Sequence, residues 1–208
     1  MKKFVALLTI SMSLLCSNAV FADSPSFSYV GFEYVAAGNF DVSDDRTSVD
    51  VDLDGFALTG SLELGIFFLQ LSQFELESED LLLGANIEDS ITTVAAGVTF
   101  ALPQTQVYGL IRGRRDDISL SAGGFSEDED FGFVGAEAGV RFNLTSRFEL
   151  NANIGIPSAD EGTSFGAGAQ LFVTDNLGIT LDFRRLEAEE GDIEAEFNTS
   201  SIGVRFSF

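Results

Sequence analysis

The sequence has no histidine, no tryptophan, one cysteine and three prolines in 208 residues. Each shortage excludes something. Without His, a Ser-His-Asp arrangement or one of its His-dependent variants cannot be assembled. The one cysteine, Cys16, lies within an N-terminal leader, so the rest of the chain has no disulfide and no thiol chemistry. Zinc thereby loses both of its usual ligand types. Basic residues are scarce too: 11 Lys and Arg stand against 33 Asp and Glu, a net charge of -22. No nucleic-acid partner is expected, because affinity for phosphates needs Lys and Arg. Beyond the leader, no segment holds the roughly 18 apolar residues that a membrane helix requires.

What is present is apolar and aromatic. Hydrophobic residues make up 45% of the chain, and Phe appears 21 times. Disordered acidic chains are poor in aromatics, so a folded domain is expected. Residues 1–22 have the form of a secretory signal: Lys2 and Lys3, then the apolar run "FVALLTISMSLL", then "SNAVFA" ending on the small residue Ala22. Cleavage is expected between Ala22 and Asp23. Leu15 stands where a lipoprotein wants a small residue before its cysteine. Residues 23–208 form a single domain.

The recurring period in that domain is two. In 92–102, Val94, Ala96, Val98, Phe100 and Leu102 share one face, and Thr93, Ala95, Gly97, Thr99 and Ala101 the other. "RFELNANIGI", "TSFGAGAQLFV" and "SSIGVRFSF" repeat the scheme. Short connections near 63–65, 103–105, 145–146 and 174–176 alternate with long ones at 38–49, 78–89, 116–130, 158–162 and 187–196. The expected fold is therefore all-β: a single antiparallel up-and-down transmembrane β-barrel of ten strands. The count falls to eight if the turn near 63–65 or the 158–162 connection is misread. A soluble sandwich or lipocalin-like barrel would put the same apolar face inward. It would not gather its charge so strictly in every second connection.

Charge separates into two sets. The long connections and adjoining strand tips carry the acidic excess. The faces assigned to the interior hold Glu33, Glu63, Glu137, Glu149 and Asp182 against Arg112, Arg114, Arg141, Arg184 and Arg205, five of each sign. A balanced set in a narrow lumen reads as a plug of ion pairs, because an unpaired buried charge costs several kcal/mol. Glu137 and Glu149 are the one carboxylate pair placed for acid–base work, but Arg141 and Arg112 are their expected partners. "RGRR" at 112–115 is read in the same way, as arginines answering interior carboxylates rather than as an anion site. "GAGAQ" lacks the Lys and Ser/Thr of a phosphate loop.

"VDVDLDGFALTG" at 49–60 opens like a calcium-binding EF-hand, D-x-D-x-D-G. Twelve positions from Asp50 end on Ser61, where that loop needs Glu. As a strand, Asp50, Asp52 and Asp54 continue the face of Phe56 and Leu58 past the membrane. A turn centred on 64–65 would set Asp54 against Glu75, Asp52 against Glu77 and Asp50 against Glu79. Like charges so opposed destabilise a sheet. A divalent ion, Ca²⁺ or Mg²⁺, or splaying of the side chains into screening water would relieve them; no other cofactor is expected.

The terminal strand "IGVRFSF", with "FVTDNLGITLDF" and "GAEAGVRFNLTSRFEL", resembles the small outer-membrane β-barrel protein family of Gram-negative bacteria across 23–208. The resemblance implies a place in the outer membrane and a C-terminal aromatic signal, Phe206 and Phe208, read by the barrel assembly machinery. It also implies outer-membrane lipid and lipopolysaccharide as surroundings. A monomer is expected, of structural or surface-interaction type, with no enzymatic activity. A narrow cation-preferring, porin-like channel is the alternative. The family's fold does not by itself choose between them.

Overall fold

Alternating apolar and polar residues form strands here because each strand has two unlike surroundings, one on each side of the sheet. The computed structural model describes residues 27–43, 48–78, 86–122, 125–157, 162–190 and 193–208. Ten strands follow in order: β1 (Tyr29–Ser43), β2 (Ser48–Leu64), β3 (Phe67–Glu77), β4 (Asn86–Leu102), β5 (Thr105–Ala122), β6 (Phe125–Thr145), β7 (Phe148–Ile156), β8 (Thr163–Phe172), β9 (Leu177–Glu190) and β10 (Ile193–Ser207). Every neighbouring pair is antiparallel, and β1 pairs with β10, so the sheet closes into a barrel. Closure removes the open edge that would otherwise expose unpaired N–H and C=O groups.

The apolar face points outward. Phe32, Phe56, Leu69, Val94, Phe100, Ile111, Val134, Ile154, Leu181 and Val204 are all exposed. Their in-line neighbours on the other face, such as Ala95, Thr99 and Gln106, are buried. The β2–β3, β4–β5 and β6–β7 turns are tight and lie at the end of the barrel where β1 begins and β10 ends. Gly65 has φ +71, which suits the first position of a two-residue hairpin turn and supplies the turn signal between Leu64 and Phe67.

Several expected connections prove to be strand. β5 runs to Ala122 and β6 begins at Phe125, so most of 116–130 is a continuation of this hairpin. β1 likewise continues to Ser43 and β4 begins at Asn86. Crossing a bilayer takes roughly 9–11 strand residues, and β7 has 9 while β6 has 21. The additional length of β5 and β6 therefore stands beyond the apolar belt. The acidic segments are largely hydrogen-bonded sheet, and their charge did not prevent pairing.

A bulge between Val35 and Ala37 shifts the phase of β1. Beyond it Phe40 turns inward and meets Phe197 edge-on, with ring centroids 6.4 Å apart. Asn39 and Asp41 turn outward.

Candidate functional site in the barrel interior

The interior is layered. At the short-turn end, Phe27, Phe68 and Tyr108 form a buried aromatic cluster with Tyr29 and Leu110 against it. Glycine makes room for two of these rings. A side-chain carbon at Gly97 would lie 2.5 Å from the Phe68 ring, and one at Gly139 would lie 2.5 Å from that of Tyr108. Toward the other end, Val35, Leu76 and Ile91 form a second buried cluster, with Phe74 and Phe197 packed on it. Charged groups lie between and beside these clusters, around a cavity of about 200 Å³ lined in part by Glu33, Phe74, Arg112, Asp182 and Arg184.

The structure joins four of the ten predicted interior charges into two ion pairs. Arg141 on β6 grips Glu149 on β7 with two parallel hydrogen bonds, Nε to Oε1 at 2.8 Å and Nη2 to Oε2 at 2.9 Å. Arg141 is 4% exposed and Glu149 0%. Arg112 on β5 meets Glu137 on β6 at 3.1 Å and also donates to Ser164 Oγ at 3.3 Å. Tyr108 donates its hydroxyl hydrogen to the other oxygen of Glu137 at 2.9 Å.

The remaining six take other partners. Glu33 accepts from Ser201 Oγ at 3.0 Å, and Glu63 accepts from the Phe27 backbone N–H at 2.9 Å. Asp182 is hydrogen-bonded by Asn151. Arg184 lies over the Phe74 ring at 5.5 Å, and Arg205 over the Tyr29 ring at 3.5 Å. Arg114 pairs with Asp116 two residues along its own strand, Nε to Oδ1 and Nη2 to Oδ2 at 2.6 Å each.

That last pair corrects the expected balance. Asp116 falls within the expected connection 116–130, yet it continues the inward face of Arg112 and Arg114 and is buried. Asp89 continues the inward face of Ile91 and Thr93 in the same way. Both were detectable by carrying the period of two past the assumed strand ends. They make the far end of the lumen acidic. Asp89 lies above the apolar belt, since Val94 is the first outward apolar residue on β4. Burial pushes the Asp89 carboxyl up to about 6; the nearby Asp116 carboxylate adds to this and Arg114 opposes it. Asp89 Oδ1 is buried without a hydrogen-bond partner. Phe27 and Tyr108 were missed altogether, because a lone aromatic in an extended segment gives no sign of crossing a lumen.

On the outer face, the six-residue acidic ladder does not form. The β2–β3 turn centres on Gly65 and Ile66, one residue later than expected, and this slides the strands by two residues. Asp54 lies opposite Glu77, and Glu75 opposite Phe56. Asp52 pairs across with Asn39 and Asp50 with Asp41, both on β1. Glu79 lies outside the described residues. What remains is a row across three strands, Asp54, Glu77 and Glu88. Among the described residues no group of three or more Asp, Glu, Cys or His is placed to hold a metal ion. Other outward acids are answered by arginine: Arg115 by Asp117 and Asp130, and Arg185 by Glu187 and Glu196.

At the C-terminus, Phe206 and Phe208 stack with centroids 6.5 Å apart, and the Phe208 N–H donates to the Ser28 carbonyl at 3.1 Å.

A family model described as outer membrane protein beta-barrel domain matches residues 6–164. No curated protein sequence matches the chain significantly. Among solved structures, the outer membrane protease OmpT of Escherichia coli aligns with a TM-score of 0.58 at 9% identity, covering 89% of this chain and 99% of that one. The transport unit of the autotransporter AIDA-I from Escherichia coli aligns at 0.50 and 11% identity, covering 97% of each chain. Neisserial surface protein A aligns at 0.49 and 13% identity, covering 88% of this chain and 98% of that one. At these identities the likeness is one of fold.

Proposed function

The chain belongs to the outer membrane protein β-barrel domain family, whose place is the outer membrane of Gram-negative bacteria, and on that premise we propose that it is a closed-lumen barrel of structural or surface-interaction type. The buried, two-bonded Arg141–Glu149 pair carries this reading. A conducting pore keeps its charges hydrated, whereas this pair is out of solvent and mutually satisfied. The aromatic cluster beside it and the apolar cluster toward the other end support the same reading. The acidic outer end then acts as the interaction surface. Its Asp54–Glu77–Glu88 row faces the level of the lipopolysaccharide headgroups, and Ca²⁺ or Mg²⁺ shared between the two would relieve both sets of charge.

A non-enzymatic role fits the residues available. The chain has no His, so the commonest general base is missing. The carboxylates Glu137 and Glu149 are each held by an arginine. OmpT contributes its fold to the comparison and not its chemistry.

A narrow cation-preferring channel is the second reading. Asp89 and Asp116 favour it, since an acidic mouth over a lumen with a cavity concentrates cations. Single-channel recording in planar bilayers separates the two. The closed-lumen reading expects silence over a wide voltage range, and steady cation-selective steps would replace it with the channel. Melting the purified barrel with Ca²⁺ and with chelator tests the surface. A higher midpoint with Ca²⁺ is expected, and an unchanged one removes the cation bridge.

A further inference from the structure

Phe27 is the first described residue, ahead of β1, and its neighbours are not those of β1. β1 adjoins β2 and β10. The Phe27 ring instead stacks on Phe68 of β3 at 4.3 Å and meets Tyr108 of β5 edge-on at 5.2 Å. The guanidinium of Arg141, on β6, lies over it at 4.9 Å. To touch β3, β5 and β6 from the β1 side, the ring must lie across the lumen. It is 5% exposed.

The backbone fixes it there. The Phe27 N–H donates to Glu63 Oε2 at 2.9 Å, and the Glu63 N–H donates to Ser28 Oγ at 3.1 Å. The Ser28 carbonyl accepts from the N–H of Phe208. Phe208 follows β10, the strand that closes on β1. The anchor of Phe27 thus joins β2 to the start of β1 and the end of β10, and is complete when the β1–β10 seam is formed.

We propose that Phe27 is a stopper that seals the periplasmic end of the lumen and is locked in place by closure of the barrel seam. Short turns lie on the periplasmic side of such barrels, which puts Phe27 there. The proposal rests on the closed-lumen reading and names the group that closes one end. A side chain swung in from outside the sheet is removable without breaking a strand pair. Glu63 thereby gains a task that its place among the interior charges does not disclose: it orients the stopper through a backbone hydrogen bond.

The test places a thiol above the stopper. Ser72 is buried, inward-facing and further up β3 than Phe68, and it lines the cavity. Ser72→Cys is introduced alone and together with Phe27→Ala in the full chain. The refolded barrels are treated with a small cationic methanethiosulfonate. Peptide mass spectrometry reads labelling at position 72 and separates it from Cys16. Labelling is expected to be about tenfold or more faster when Phe27 is Ala, because truncating a core Phe leaves a void across the bore. Slow and equal labelling in both backgrounds overturns the stopper while leaving the lumen closed. Fast labelling with Phe27 intact overturns the stopper and the closed-lumen reading together. A second probe does not depend on truncation. Because the chain has no Trp, Phe27→Trp gives a single reporter. Its acrylamide quenching is expected to be several-fold weaker than in urea, and quenching as strong as in the unfolded chain overturns the seat.

Discussion

Glu149 has no exposed surface, and both its oxygens are engaged by Arg141. Such a pair shows its worth when one half is removed. Glu149→Ala leaves a buried guanidinium uncompensated, and a loss of about 3–5 kcal/mol is expected in urea unfolding of the refolded barrel. Replacing both, as Arg141→Met with Glu149→Leu, is expected to recover most of it, because no buried charge then remains. Asp89 behaves in the opposite sense. Its carboxyl is raised from 3.8 to about 6 in the folded barrel, so the folded state holds its proton more tightly than the unfolded chain does. That part of the stability is fully present below the unfolded value and is lost as pH rises from about 4 through 6. Asp89→Asn removes the dependence. Its midpoint relative to the parent is expected to climb across that window and to stay higher at pH 7. A difference that is flat with pH would refute the assignment.

At the scale of the element, the β2–β3 hairpin shows how a turn decides chemistry. Moving the turn centre by one residue changes which acids face one another, since strands pair residue against residue. Glu77 consequently stands between Asp54 and Glu88, with like charge on both sides. Glu77→Lys turns two repulsions into two attractions. A gain of about 0.5–1 kcal/mol is expected in unfolding experiments, with a smaller response to Ca²⁺. The six-acid ladder expected from the sequence fails on register. The face follows from the period of two. Register depends on which backbone conformation Gly65 adopts, and nothing in "LELGIFF" states that. The β5–β6 hairpin carries a similar lesson. Acids at 127–130 look like loop, yet Arg115 bridging to Asp117 and Asp130 ties the tips together.

For the whole molecule, the net charge is -22, and among the described residues the acidic excess lies mostly at one end of the barrel. Self-repulsion there opposes the compact state, and salt screens it. Raising NaCl is expected to raise the thermal midpoint of the detergent-refolded barrel, with a smaller rise for Glu77→Lys. A midpoint that falls with salt would mean that the ion pairs of Arg115 and Arg185 outweigh the repulsion. Among the described residues, the short-turn end is nearly free of net charge and is held by stacked rings and by the seam between β1 and β10.

The sequence by itself determined that the chain is an antiparallel, lipid-facing barrel, because a period of two with the apolar face outward is a local property, written residue by residue; the structure decided the count, ten strands and not eight. The sequence also determined which charges turn inward, for the same reason, except where the strands outran their expected ends at Asp89 and Asp116. Pairing was decided by the tertiary structure. Arg114 pairs with Asp116, Arg184 and Arg205 lie over aromatic rings, and Phe27 crosses the lumen to reach three strands. These contacts join residues far apart in the chain, and they depend on register, strand tilt and a bulge, none of which has a local signature.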